Sequence, residues 1–358
     1  MADTSPQLMA IDTRNQVLLE RLKEGEHKKF APFLKRIEKD VRLRLSNEGE
    51  TITSKKKLNT ILADVTSLQK AIYDDYNKQL AIDLGEIGIQ QAGFEAKSYE
   101  QVVVAFESAV PATAQVLTAI RVNPMQMQDY SGKQLLEPFI KDWSAKEVQR
   151  VNNAITQGFY QGQTNAQITR NIRGTKANKF NDGELAKINR SNKTIVRTAV
   201  QHASTQARLV TMSENKDLIT GYQWVSTLDS KTSDQCTALD GRKFKIGEGP
   251  LPPIHPNCRS TTTPTLSSKF DFLDNGATRA SVDGQVSTKE TYFSWLKKQP
   301  VAFQADAIGP TRAKLLRSGG LTSDEFARLS LNRNFQPLTL SEMKKKAPNV
   351  FENANVKL

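Results

Sequence analysis

Apolar residues at steps of three and four dominate the first third of the chain, and that spacing constrains the fold more than any other feature. Val17, Leu18, Leu22, Phe30, Phe33, Leu34, Ile37, Val41 and Leu45 follow it between Ile11 and Ser46. After a polar break from Asn47 to Thr53, the residues Leu58, Ile61, Leu62, Val65, Leu68, Ile72, Tyr76, Leu80 and Leu84 follow it again. A helix gathers such positions on one side, whereas a strand, alternating at every residue, would scatter them over both faces. The segment reads as a long helix or helix pair and then a second helical arm continuing toward Phe106. Two uses are compatible with such arms: packing on one another as a bundle, or docking onto a partner ring or scaffold.

Shorter helices are expected from 111 to 174. Ser144-Ala-Lys-Glu147 fits a capping box and predicts a helix from Ala145 that buries Val148, Val151, Ile155 and Phe159. Thr164 is placed to cap the next helix, with Ile168 and Ile172 inside it and Gly174 at its end. Ser191 is read as opening a further helix from Asn192 to Glu214, with Ile195, Ala199, Ala203, Ala207 and Val210 along one side.

At Ile219 the pattern changes to β-forming alternation, Ile-Thr-Gly-Tyr-Gln-Trp-Val-Ser-Thr227, ending at Asp229-Ser230. A small β-rich module with a Pro-rich loop, Gly247 to Pro253, is predicted to follow. Residues 266–288 carry turn dipeptides and little periodicity and read as a linker. Helices resume with Tyr292, Phe293, Trp295 and Leu296, and capping boxes open at Thr322 and Thr339. The expected fold class is α+β, mainly α-helical. Its divisions are a long-helix N-terminal region (1–110), a helical domain (111–218), the β-rich module (219–265), a linker (266–288) and a helical basic C-terminal region (289–358).

Charge narrows the partners. The chain carries 50 Lys+Arg and 38 Asp+Glu; residues 1–110 hold 16 against 17, leaving 34 against 21 for the remainder. A basic surplus of this size draws polyanions, nucleic acid first among them, without any sequence readout, although a solvated basic surface has the same composition. Lys187, Arg190, Lys193, Arg197 and Arg208 in the middle, and Arg312, Lys314 and Arg317 near the end, are the candidates for contact with DNA phosphate or an acidic partner. No stretch approaches the ~18 consecutive apolar residues of a membrane span, and the first residues lack the basic and apolar runs of a signal peptide, so synthesis in a cytoplasm and no membrane partner are expected.

One ordered set of residues carries more information than composition. Trp224, the run Asp229-Ser-Lys-Thr-Ser-x-x-Cys236-x-x-Leu239-Asp240-Gly241, and Pro252-Pro253-x-His255-Pro256-Asn257-Cys258-Arg259 together resemble the Mu protein F-like minor head proteins of tailed bacteriophages. The segment from Trp295 through Gly309-Pro310 to Gly320 is similar to the tail end of many members. The resemblance implies a helical region leading into the module and a non-enzymatic role in head assembly, DNA packaging or DNA delivery. It also implies several copies per virion near the portal, with portal, capsid or scaffolding protein and genomic double-stranded DNA as partners, after synthesis in the bacterial host. Two alternatives accompany it: an internal DNA-binding protein ejected with the genome, and a nuclease or transferase built on the Cys/His module.

Many members place further cysteines where this chain has Ser233 and Ser260. Cys236, His255 and Cys258 therefore supply three donors where structural zinc takes four, and a fourth is expected from Asp229, Asp240 or outside. A Cys236–Cys258 disulfide would close a loop of about 20 residues, worth on the order of 3 kcal/mol. The third reading makes both cysteines small buried apolar residues and His255 a hydrogen-bonded structural histidine. A zinc-deaminase reading fails for want of its His-x-Glu and Pro-Cys-x-x-Cys elements, and a cysteine nucleophile lacks an identifiable orienting group.

Overall fold

The N-terminal periodicity becomes three helices, α1 (Pro6–Lys28), α2 (Ala31–Ser46) and α3 (Lys55–Val102), in a computed structural model that describes residues 5–104, 106–127, 134–267 and 277–358. Ser5 caps α1 by accepting from the Leu8 N–H, with Pro6 in the first turn, and Ser54 caps α3 through the Lys57 N–H. Further helices follow: α4 (Thr113–Val122), α5 (Leu136–Tyr160), α6 (Asn165–Arg173) and α7 (Glu184–Glu214). The long α3 and α7 lie against each other, with α2 and α5 also packed on α3 and with α4 against both. Ile61, Val65, Ile72, Tyr76 and Leu80 from α3 meet Ile195, Ala199, Ala203 and Ala207 from α7 in one core. Gly88 lets α4 approach: a Cβ there would lie 2.5 Å from Ile120 Cδ1.

Several expected boundaries and faces shift. The Ser144 hydroxyl sits inside α5 and donates to the Ile140 carbonyl, because Leu136, Phe139, Ile140 and Trp143 extend the apolar face of Val148 and Val151 backward. Ser191 is likewise internal to α7, bonded to the Ile188 carbonyl and the Glu147 carboxylate. Packing over a longer stretch outweighs a local cap signal at both sites. Val17, Leu18 and Leu22 are 45%, 56% and 37% exposed, and α1 instead turns Leu8 and Leu19 inward together with Gln16 and Lys23. The polar pair goes inside because Gln201 on α7 accepts from both, at 3.0 and 2.6 Å. Thr164 does cap α6, with Gln167 completing the box, and α6 ends at Gly174.

The β module is a three-stranded antiparallel sheet with β1 (Ile219–Val225) between β2 (Lys243–Lys245) and β3 (Thr261–Leu266), and α8 (Asp234–Leu239) inserted before β2. The register pairs Tyr222 with Phe244 and Trp224 with Thr262. The expected linker is corrected in its described part: β4 (Thr278–Ser281) and β5 (Gly284–Ser287) form a hairpin, and Ser281 bridges to Leu228. Its four-residue strands are too short for alternation to show, and Asp283-Gly284 was the surviving signal. The turn dipeptides at 268–276 lie outside the described residues.

After the hairpin come α9 (Tyr292–Lys297), α10 (Val301–Ile308), α11 (Pro310–Ser318), α12 (Ser323–Leu329), α13 (Leu340–Lys346) and α14 (Pro348–Asn353), with the expected capping boxes at Thr322 and Thr339. Their core residues Tyr292, Trp295, Leu316, Phe326, Met343 and Phe351 share one cluster with Trp224, Cys236, Leu239, Ile254 and Cys258. The module and the C-terminal helices are thus built around common contacts. The fold is mainly α-helical with small antiparallel sheets, as the α+β expectation required. Among the described residues no helix is long and apolar enough to cross a membrane.

A buried ion cluster fastens the module to the helical body. Arg208 of α7 donates to Glu95 of α3 at 2.6 Å, faces Asp12 of α1 at 3.3 Å, and reaches β3 through the Thr262 carbonyl at 2.6 Å and the Thr261 hydroxyl. Burial pushes the Asp12 carboxyl up to about 8, with Arg208 opposing and Glu95 adding to the rise. The unfolded value is about 4. The folded state therefore holds this proton more tightly, and its contribution is full below that value and lost as pH rises through about 8. Wild type should lose stability between pH 4 and 8 relative to Asp12→Asn when urea midpoints are compared across that window. Parallel profiles for the two proteins would refute the assignment.

Candidate functional site

β1 ends by delivering Trp224, fully buried, to the point where the chain turns at Ser226. The Trp224 indole N–H donates to the Ser226 hydroxyl at 2.9 Å, and that hydroxyl donates to the Cys236 carbonyl at 2.6 Å, which sets α8 beside the strand. Ser233 caps α8. Leu239 enters the core, and Gly241 turns the chain with φ +83 at a point where a Cβ would lie 2.8 Å from Thr291 Cγ2. The Pro-rich loop carries a cis Pro252–Pro253 bond and leads through His255, Pro256 and Asn257 to Cys258 at the mouth of β3. Asn257 docks the loop on α7, its N–H on the Thr198 hydroxyl and its amide on Thr194.

These connections bring the motif's polar side chains to three centres. At the first, Asp240 accepts four hydrogen bonds: both terminal nitrogens of Arg279 at 3.0 Å, the Ser226 N–H at 2.6 Å and the Tyr292 N–H at 2.7 Å. At the second, Arg259 grips Asp229 through both carboxylate oxygens at 2.5 and 2.8 Å, and Asp229 also caps Lys231 and Thr232. Both Asp carboxylates are therefore already engaged, which corrects the expectation that either would complete a metal set.

The third centre holds the sulfurs. Cys236 Sγ lies 3.8 Å from Cys258 Sγ and 3.2 Å from His255 Nε2, and the Ser233 hydroxyl is 2.9 Å from the same nitrogen. Both cysteines are buried and free, so the disulfide expectation is not what this structure holds. Within the pair, burial and the neighbouring sulfur push the Cys236 thiol up. Burial acts the same way on Cys258, but hydrogen bonds from Cys236 and His255 outweigh it and bring that thiol below its usual range.

The eight candidate cations do not form one surface. Arg208 is 3% exposed and belongs to the interior ion cluster, so it presents no charge to a polyanion. Arg197 pairs with Glu20, Lys193 with Glu24 at 2.8 Å, Lys187 with Glu184 at 2.7 Å and Arg312 with Asp234 at 3.2 Å. Lys314 and Arg317 bond the Asn355 carbonyl and Gln304, and Arg190 is exposed on α7. Sequence reasoning missed Arg279, Ser226 and Lys23. Arg279 sat in the supposed linker, and Lys23, whose ammonium burial pushes down, looked like any helix-surface lysine.

Residues 149–263 match the family model described as Phage Mu protein F like protein. No curated protein and no solved structure matches the chain. The matched segment runs from within α5 to β3 and contains all three centres except Arg279 and Tyr292, so the resemblance read from the motif is borne out over these residues.

Proposed function

We propose, from the family that residues 149–263 match, that this chain is a head-morphogenesis protein of a tailed bacteriophage, a minor structural component of the virion present in several copies. The coincidence of that match with the segment whose motif residues build the compact module is the observation that carries the reading. In this proposal the role is structural, and the module is a rigid joint rather than a catalytic site. Asp229, Asp240, Arg259 and Trp224 spend their polar groups on internal bonds. The helical body docks on portal, capsid or scaffolding protein near the portal vertex. Contact with packaged double-stranded DNA, non-specific and salt-dependent, falls to exposed cations such as Arg190.

The internal pairing of most candidate cations favours this assembly role over an ejected DNA-binding protein. A whole-virion density map tests it. Ordered density for the chain against the portal or inner capsid is the expected result. A chain found only among the packaged DNA, and lost from particles after genome release, would overturn the docking role in favour of the ejected one.

A further inference from the structure

The sulfur centre has the dimensions of a metal site. In a tetrahedral zinc complex with Zn–S near 2.3 Å and Zn–N near 2.0 Å, two sulfurs stand about 3.8 Å apart and sulfur and nitrogen about 3.5 Å. Here the sulfurs are 3.8 Å apart, and Cys236 Sγ stands 3.2 Å from His255 Nε2. The three donor atoms all lie within 4.8 Å of one another. The imidazole is also oriented for ligation. Its Nδ1 lies 2.9 Å from the Pro256 carbonyl, an acceptor with no proton to give, so the ring proton is on Nδ1 and the Nε2 lone pair faces the sulfurs. That backbone contact is the outer-shell bond by which metal-binding histidines are commonly held.

We propose that Cys236, His255 and Cys258 bind one zinc ion, with the Ser233 hydroxyl at the fourth position. Ser233 is the group that geometry offers: its Oγ is 2.9 Å from His255 Nε2, while Asp229 and Asp240 are held by arginines. A neutral hydroxyl is a weaker donor than a thiolate, so the site is a labile relative of a four-ligand structural zinc. Zinc here ties α8 to the loop before β3, at the junction where the module meets α7. Binding displaces the thiol protons to solvent and leaves two thiolates and one neutral imidazole on a divalent ion. The proposal is independent of the phage reading, since it concerns donor atoms alone.

The test uses the full chain purified under reducing conditions. Titration with Co2+ is expected to give tetrahedral d–d bands and a thiolate-to-metal charge-transfer band, saturating at about one equivalent and abolished by competing Zn2+. Cys258→Ser should lose the charge-transfer intensity in proportion, and Ser233→Cys, which puts a third sulfur at the fourth position, should retain zinc against a chelator that strips the wild type. Should Cys258→Ser fail to fold, the wild-type titration and Ser233→Cys still decide. A reduced, folded wild type that shows no charge-transfer band with Co2+ overturns the proposal. So does a Ser233→Cys protein that holds zinc no better than wild type, or one whose bands are octahedral.

Discussion

Arg208→Leu is expected to destabilise the fold by about 3–5 kcal/mol, the cost of removing the one cation from a buried polar cluster, and to lower Tm by roughly 5 to 15 °C. The side chains of Arg208, Asp12 and Glu95 are 4%, 2% and 0% exposed, so water cannot replace the guanidinium. One oxygen of each acid, Asp12 Oδ2 and Glu95 Oε2, already lacks a hydrogen-bond partner. Removing Arg208 would leave two buried acid groups without their donor and draw water inward. Adding Asp12→Asn and Glu95→Gln to Arg208→Leu should recover part of the loss, because an apolar and amide cluster has no charge to desolvate. A single-variant loss below about 1 kcal/mol, the size of an exposed pair, would mean that the cluster is solvated.

Arg208 also marks where the sequence was legible and where it was not. Its position among Ala199, Ala203 and Ala207 invited a reading as the charged side of an amphipathic helix. Yet from Thr198 to Met212 it is the lone Lys, Arg, Asp or Glu, a texture of helices buried nearly all round. That signal was present and outweighed by net charge. The Ser144 and Ser191 boundaries failed for a different reason: a cap motif is worth about 1 kcal/mol and yields to several turns of continuous apolar face. Thr164, Thr322 and Thr339 were read correctly because there the apolar face and the cap coincide.

The module was legible because its ordered motif resembles a known family. Whether Cys236 and Cys258 meet stayed open among several readings, and the structure brings their sulfurs to 3.8 Å. What completes each centre comes from elsewhere in the chain. Arg279 reaches Asp240 from a hairpin without periodicity, and Lys23 and Gln16 reach Gln201 across about half the protein's sequence order. A single sequence carries no signal for which distant polar residues will pair. That is also why Asp229 and Asp240 looked like metal ligands until their arginine partners were located.

The same reasoning makes Asp240→Ala the second large-effect substitution, and its consequence is local to the joint. Its carboxylate joins the end of β1 through the Ser226 N–H, the first turn of α9 through the Tyr292 N–H, and β4 through Arg279, whose side chain is 1% exposed. Alanine would strand a buried guanidinium and two backbone donors at once, a loss of about 3–5 kcal/mol or more. Arg279→Met should cost less than Asp240→Ala, since the carboxylate keeps its two amide donors. Far-UV dichroism of α1 to α7 should persist in Asp240→Ala, while hydrogen exchange accelerates in the β4–β5 hairpin and at the start of α9. In an infected cell the variant should yield few complete heads if the module is the rigid joint of a head-morphogenesis protein. Equal stability of Asp240→Ala and wild type would show that the invading solvent replaces the carboxylate. Uniform acceleration of exchange through α3 and α7 would show instead that module and helical body unfold as one unit.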